Sequence, residues 1–331
     1  MNKLTALISA FLAAVLIAAC NNDHPKVSPL SWLVQFNAAE GQLPEGLTTS
    51  KDALYVGMAP TSQVMKVTFD GKTSLYSQLP QVPPNQGFMT GMEFDNQGNL
   101  YVALASFVPQ VKSGVYRIPS GGGQATLFAS GMSLPNGLVF DTKGNLMVSD
   151  TIDSVILRIT PDGRVSKWLD HPLLKGSRSI CGSKIPEFDA GPNGIAFGNK
   201  GDLFVLNTHG ASLIRVPVDK DGSAGTPEVF VGPDCANLEG ADGIAVDEDD
   251  NIYAVDFLIH KLVKIDKNKR LTVMESDGLL DSPASIAFGT GNDRQTLYIT
   301  NFAYVSAVTG GVPHPGILKK DMGIDGKQPP R

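Results

Sequence analysis

The sequence predicts an all-β fold, a six-bladed β-propeller, and two observations point to it. A short phrase, built around a Gly in most copies, occurs six times at intervals of 43 to 57 residues. Each copy is followed by a turn rich in Gly, Asn or Asp and then by a short apolar strand, such as residues 100–102. A repeat of this length made of strands and turns is typical of propeller blades.

Each repeat is predicted to form one four-stranded antiparallel blade. In the third repeat we expect strands at residues 137–140, 145–150, 155–160 and 165–169, separated by turns where Gly144 and Gly163 stand. The last repeat has room for only three strands. Residues 32–36 alternate in the manner of a strand, and we expect them to supply the fourth and close the ring without an open sheet edge.

Composition indicates one soluble domain over residues 31–331. Hydrophobic residues make up 42% of the chain and charged residues 18%, which fits a well-packed body. The net charge is −6 and no basic cluster with interleaved aromatics occurs, so nucleic acid is not an expected partner. We expect a monomer that acts on a small molecule.

The first thirty residues predict export and lipid attachment. Residues 1–19 contain Lys3 and an apolar run too short to span a membrane, and small residues directly precede Cys20. This resembles a bacterial lipoprotein signal peptide, with Cys20 lipidated and residues 20–30 as a tether. The alternative is an ordinary signal peptide with Cys20 incidental. We expect a lipid-anchored envelope protein that touches the membrane only through its lipid. In a Gram-negative cell, Asn21 favours the periplasmic side of the outer membrane.

The two remaining cysteines, Cys181 and Cys235, precede ring positions of consecutive repeats. Both are therefore expected in loops on one face of the propeller. Export to an oxidising compartment predicts a disulfide between them. The alternative, a free pair that binds metal, is disfavoured because no His or Cys stands at ligand spacing.

The residue before each repeat Gly should open the innermost strand of its blade, so six side chains form a ring around the central channel. The predicted ring is polar in every blade, and it consists of Glu45, Thr90, Asn136, Asn193, Asp242 and Ser285. Four of these offer carboxylate or amide oxygens, the ligands of hard cations such as calcium, although another divalent cation is possible. The alternative is that Asn-Gly and Asp-Gly are common turn dipeptides. That explains one position well and the repeated pattern poorly.

Long loops at residues 80–89, 171–191 and 302–316 are predicted on the same face as the ring, which indicates a ligand site there. His209 in one of the face's loops is a candidate second acid/base, although a lone loop histidine is more often a surface residue. Apolar side chains in the same loops are candidate substrate contacts, with wedging between blades as the alternative. These side chains are Phe107, Phe257, Phe302 and Tyr304.

The order of ring residues resembles the SMP-30/gluconolactonase/LRE-like family of six-bladed calcium propellers, which includes regucalcin and diisopropylfluorophosphatase. The resemblance implies that Glu45, Asn193 and Asp242 hold a catalytic calcium. It implies that Asn136 is a further ligand or a substrate contact, and that Asp242 is the base or nucleophile. Sugar-lactone members often carry an Arg where this chain has Leu134. A less polar lactone or ester is therefore favoured.

These features together predict a calcium-dependent hydrolase of a lactone, ester or phosphotriester. The metal would polarise the substrate oxygen, and Asp242 would activate water or attack directly. The alternative is a non-catalytic propeller resembling NHL-repeat proteins, with a structural metal and an envelope partner. A quinone-dependent sugar dehydrogenase is disfavoured because the loops lack the expected cluster of basic residues and His.

Overall fold

A computed structural model describes residues 28–327 of the chain. The predicted signal peptide, Cys20 and most of the predicted tether lie outside the described residues. The described residues form six four-stranded antiparallel sheets. The inner strand of each sheet contacts the inner strands of the two neighbouring sheets, and the last contacts the first. The six-bladed propeller predicted from the repeat is therefore confirmed.

The first three blades use consecutive strands from the inside outward. Blade one contains β2 (Pro44–Ser50), β3 (Ala53–Met58), β4 (Gln63–Thr68) and β5 (Thr73–Gln78). Blade two contains β6 (Gly87–Phe94), β7 (Leu100–Ser106), β8 (Gly114–Ile118) and β9 (Thr126–Ser130). Blade three contains β10 (Pro135–Phe140), β11 (Leu146–Asp150), β12 (Val155–Ile159) and β13 (Val165–Asp170). The strand boundaries predicted for blade three agree within two residues.

Blades four and five follow the same strand order, and blade six closes the ring. Blade four contains β14 (Pro192–Phe197), β15 (Leu203–Asn207), β16 (Ser212–Val216) and β17 (Glu228–Val231). Blade five contains β18 (Ala241–Val246), β19 (Ile252–Asp256), β20 (Lys261–Ile265) and β21 (Leu271–Ser276). Blade six contains β22 (Pro283–Phe288), β23 (Thr296–Asn301), β24 (Gly316–Asp321) and, outermost, β1 (Ser31–Gln35). The N-terminal strand closes the ring as predicted, so the outer edge of blade six is paired.

The core lies between the blades. The second strands β11, β15 and β19 are buried at every residue, because both of their faces pack against apolar side chains of adjacent sheets. Val155, Leu157 and Ile159 alternate along β12, and all three pack into the core between blades two and three. The alternation of these apolar side chains is the pattern from which the strand was predicted, and Ile156 between them packs on the opposite side, in the core between blades three and four.

Helices contribute little to the described part of the chain. One α-helix, α1 (Tyr304–Thr309), lies in the loop after β23. Three short 3-10 helices occur at Ala38–Glu40, Pro172–Leu174 and Gly291–Asp293. Within residues 28–327, none of the helices is long and apolar enough to span a membrane.

Candidate functional site

Each inner strand changes register at its ring position, and this irregularity aims the ring side chains. In β14 the register shifts between Pro192 and Ile195, and the same shift occurs in the other five inner strands. Such a bulge turns a side chain out of its regular direction, and bulges are common beside active sites. The Gly that follows allows close approach, because a Cβ at Gly194 would stand 2.2 Å from Asp242 O.

The ring residue of blade six is Ala284, and its prediction as Ser285 was wrong. Pro283 pairs with Asn301 in the same way as Pro192 pairs with Asn207. Ser285 therefore occupies the place that Gly holds in the other blades. Without that Gly the sequence offered no anchor, so the alignment slipped by one residue. The ring is polar in five blades rather than six.

The four predicted metal-binding side chains come together as buried groups on the axis. Glu45 and Asp242 are 5% and 8% exposed, and Asn136 and Asn193 are similarly buried. Neither carboxylate has a cationic side chain as an ion-pair partner among residues 28–327. Two acidic groups thus share a site from which water is largely excluded.

Burial and the charge of a neighbouring carboxylate disfavour the charged forms of both acids. Burial, followed by the charge of Asp242, raises the pKa of Glu45 well above its usual range. Burial, followed by the charge of Asp256, raises the pKa of Asp242, and the Asn193 side chain opposes that shift. A bound divalent cation would relieve this repulsion.

Two atoms of the ring fit a cation directly. Glu45 Oε2 and Asn193 Oδ1 are both buried and have no hydrogen-bond partner in the part of the chain that the structure describes. Both are acceptors, so a cation satisfies them where a second acceptor could not. Among the described residues no group of three or more His, Cys, Asp or Glu side chains is gathered for a metal. Mixed carboxylate and amide oxygens are ligands of hard cations.

Asp256 lies near Asp242 and is held by backbone hydrogen bonds, a role that was not predicted from the sequence. Its carboxylate accepts hydrogen bonds from the backbone N–H groups of Gly240 (2.7 Å), Leu258 (3.0 Å) and Ile259 (3.0 Å). Burial raises the pKa of Asp256 to about 6 despite these bonds. Asp150 bonds the loop before β10 in the same way, so a polar residue at the end of the second strand was the available signal.

A cavity of about 570 Å³ follows the axis from the ring toward the opposite face. Asn136, Asn193 and Asp242 line one end of it, and Glu93 lines its wall. The Glu93 carboxylate accepts one hydrogen bond, from the N–H of Phe94. Burial raises the pKa of Glu93 to about 8. Glu93 could not be predicted as part of a site, because no acid recurs at the same position in the other repeats.

Three of the four aromatic residues predicted to contact substrate gather beside blades five and six. Phe302 stacks on Tyr304 with ring centroids 5.4 Å apart, and Phe257 lies 6.4 Å from Tyr304. Burial, and then the charge of Glu187, raises the pKa of Tyr304. Phe107 stands apart in blade two and is 53% exposed. Contact of any of these side chains with substrate stays a prediction.

His209 lies beneath the long loop before blade four, and both of its ring nitrogens are engaged. Nδ1 accepts from the N–H of Ala190 (2.9 Å), so the proton resides on Nε2, which donates to Ile185 O (3.3 Å). Burial lowers the pKa of His209. This geometry favours an anchoring role for a neutral imidazole. Its catalytic role stays a prediction.

The predicted disulfide joins two loops of the same face. Cys181 and Cys235 are bonded, with Cα atoms 5.4 Å apart and a sequence separation of 54. Ser183 Oγ donates to Glu239 Oε1 (2.6 Å) beside the bridge. The disulfide therefore ties the loop before blade four to the loop before blade five, next to the ring positions Asn193 and Asp242.

Fold and ring together define a six-bladed propeller with a buried, oxygen-rich acidic centre on its axis. Residues 184–303 match the family model described as SMP-30/Gluconolactonase/LRE-like region, which confirms over these residues the resemblance predicted from the ring. The matched stretch includes Asn193 and Asp242. A comparison with curated protein sequences finds no match.

Solved structures with the same fold have different chemistries. The chain is 18% identical to a calcium-binding regucalcin from Agrobacterium tumefaciens, over 86% of this chain and 91% of that one, with a TM-score of 0.61. It is 17% identical to a Xanthomonas campestris gluconolactonase, over 89% of this chain and 98% of that one, with a TM-score of 0.60. It is 16% identical to a PQQ-bound aldose sugar dehydrogenase from Streptomyces coelicolor, over 89% of this chain and 97% of that one, with a TM-score of 0.60. At such identities the likeness shows the fold, and function must be argued from the site.

Proposed function

We propose that the protein is a hydrolase of a lactone, ester or phosphotriester that depends on calcium bound on the propeller axis. The observation that carries this proposal is the buried ring. Among residues 28–327, Glu45 and Asp242 have no cationic ion-pair partner and Asn193 Oδ1 has no hydrogen-bond donor. Interaction propellers have no need of such a costly arrangement. The family match over residues 184–303 supports the same conclusion.

Glu45, Asn193 and Asp242 would hold the cation, with Asn136 as a further ligand or a contact to substrate. Bound there, the cation would polarise the substrate carbonyl or phosphoryl oxygen. Asp242 would accept a proton from water or attack the substrate directly. The hydrogen bonds from Gly240, Leu258 and Ile259 hold the neighbouring Asp256 in place, so it can act on Asp242 only through its charge.

The surroundings of the ring favour a substrate of low polarity. Leu134 is buried, and its N–H donates to Asp150 Oδ1 (3.1 Å), so this position offers no cation to a sugar acid. Phe257, Phe302 and Tyr304 form an apolar cluster near the ring position of blade five. These side chains would bind the apolar part of a lactone or ester and exclude water from it.

Turnover measured with and without calcium tests this function. Chelator-treated protein and calcium-restored protein are each assayed on a panel of lactones, aryl esters and phosphotriesters. We expect hydrolysis of at least one class, abolished by chelation and restored by calcium. Calcium binding without turnover on any class would favour the alternative, a binding propeller with a structural metal.

We also propose that the protein is anchored in a bacterial cell envelope. The support is the sequence of residues 1–30, with an apolar run ending in small residues before Cys20. Replacing Cys20 with Ser should abolish incorporation of a labelled fatty acid, while the wild-type chain is labelled. Persistent labelling of the variant would contradict lipidation at this residue.

A further inference from the structure

Two threonines support the amide members of the ring. Thr208 follows β15, and its hydroxyl oxygen lies 3.1 Å from Asn193 Nδ2. Thr151 follows β11, and its hydroxyl oxygen lies 3.3 Å from Asn136 Nδ2. All four side chains are buried. The two threonines are equivalent by register, because Asp150 and Asn207 just before them pair with Pro135 and Pro192 just before the two asparagines.

The hydroxyl protons determine which way each amide faces. Thr208 Oγ1 donates its one proton to Ala241 O (2.8 Å), and Thr151 Oγ1 donates to Pro192 O (2.9 Å). Each oxygen can therefore only accept from its asparagine. The amide NH₂ must face the threonine, and Oδ1 must point away from it. For Asn193 this leaves Oδ1 buried and without a donor.

The position equivalent to these threonines holds different side chains in the six blades. The residues at this register are Ala59, Ala105, Thr151, Thr208, Phe257 and Phe302. Threonine thus occurs only in the two blades whose ring residue is an amide. A carboxylate presents an acceptor in either orientation, whereas an amide must be held with its oxygen toward the ligand.

We propose that Thr208 and Thr151 are positioning residues of the axial metal centre, which hold Asn193 and Asn136 with Oδ1 free for the cation. This inference rests on the proposed function. Loss of a residue that orients a metal ligand through a hydrogen bond typically weakens metal affinity by roughly 10- to 100-fold. Loss of the Thr208 hydroxyl should weaken metal binding more than loss of the Thr151 hydroxyl. The Thr208 contact to its amide is shorter, and Asn193 Oδ1 has no hydrogen-bond partner among the described residues.

The test measures calcium affinity by calorimetry in full-length Thr208→Val, Thr208→Ser and wild-type protein. We expect Thr208→Val to weaken calcium binding by roughly 10- to 100-fold. Thr208→Ser keeps the hydroxyl and should stay within about threefold of wild type. Thr290→Val is the matched control, because Thr290 Oγ1 also donates to a neighbouring blade, at Ser50 O (2.6 Å), which lies at the end of β2 away from the ring. Calcium affinity in Thr290→Val should not change.

A second readout separates orientation from simple loss of stability. Europium luminescence lifetimes count the water molecules on a bound lanthanide, and Thr208→Val should gain one water relative to wild type and Thr290→Val. Equal affinity and equal hydration in wild type and folded Thr208→Val would overturn the inference. Failure of wild type itself to bind calcium or europium would instead overturn the proposed function, together with the inference that rests on it.

Discussion

Replacing Asp242 with Asn should lower calcium-dependent turnover by about a thousandfold, within the range that a positioned acid or base contributes. The substitution keeps the shape of the side chain but removes one of two carboxylates at the ring. Calcium affinity should fall as well, by roughly 10- to 100-fold, because affinity in oxygen sites depends on the number of charged ligands. Steady-state kinetics and calorimetry on the same preparations measure the two effects.

The same variant should be more stable than wild type when calcium is removed. Without the metal, Asp242 is a buried acid close to other carboxylates, and Asn eliminates that repulsion. Glu93→Gln is the matched control, because Glu93 is a carboxyl of the same axial cavity outside the ring. It should leave calcium affinity unchanged. Wild-type turnover and affinity in Asp242→Asn would show that the ring is not the site.

In the absence of calcium, the stability of the protein should fall as the pH rises from about 4.5 to 8. The pKa values of Glu45 and Asp242 are raised by burial, and that of Glu93 is raised to about 8. In this window the folded chain retains protons that the unfolded chain has released, so stability falls with increasing pH. Below about pH 4 both states are protonated and the effect vanishes.

Calcium should reverse most of this loss, because it replaces the protons on Glu45 and Asp242. Melting temperatures measured at pH 5 and pH 8, in chelator and in calcium, check the linkage. A ligand at a thousandfold excess over its Kd stabilises by about 4 kcal/mol, which is roughly 8 °C for a domain of this size. The difference in melting temperature between calcium and chelator should be larger at pH 8 than at pH 5. An equal difference at both pH values would contradict the linkage between calcium binding and protonation. Glu93→Gln isolates the contribution that calcium cannot remove.

Most of the fold could be predicted because the repeat encodes it locally. Residues 32–36 alternate like a strand, and the last repeat lacks one, so closure by β1 (Ser31–Gln35) followed from the sequence. Blade six shows the limit of such reasoning. Its inner strand has Ser285 where the others have Gly, and only the pairing of Pro283 with Asn301 places Ala284 in the ring.

The parts of the site that could not be predicted depend on contacts between blades. Thr208 was recognisable as a residue of a loop, but its bond to Ala241 O crosses from blade four to blade five. The engagement of both His209 nitrogens depends on how the loop carrying Ile185 and Ala190 folds over it. The raised pKa of Glu93 depends on burial along a cavity that the inner strands of several blades line together. Periodicity within one repeat carries none of this information.

The most direct test of the axial metal is a calorimetric calcium titration of chelator-treated protein, with Glu45→Gln in parallel. We expect the wild-type chain to bind calcium at one site, with a Kd in about the micromolar range or tighter. Glu45→Gln should weaken binding at least about tenfold, because it replaces a charged ligand whose Oε2 is buried and unpaired. If the folded wild-type protein takes up no calcium, or Glu45→Gln binds it equally well, the ring is not a calcium centre.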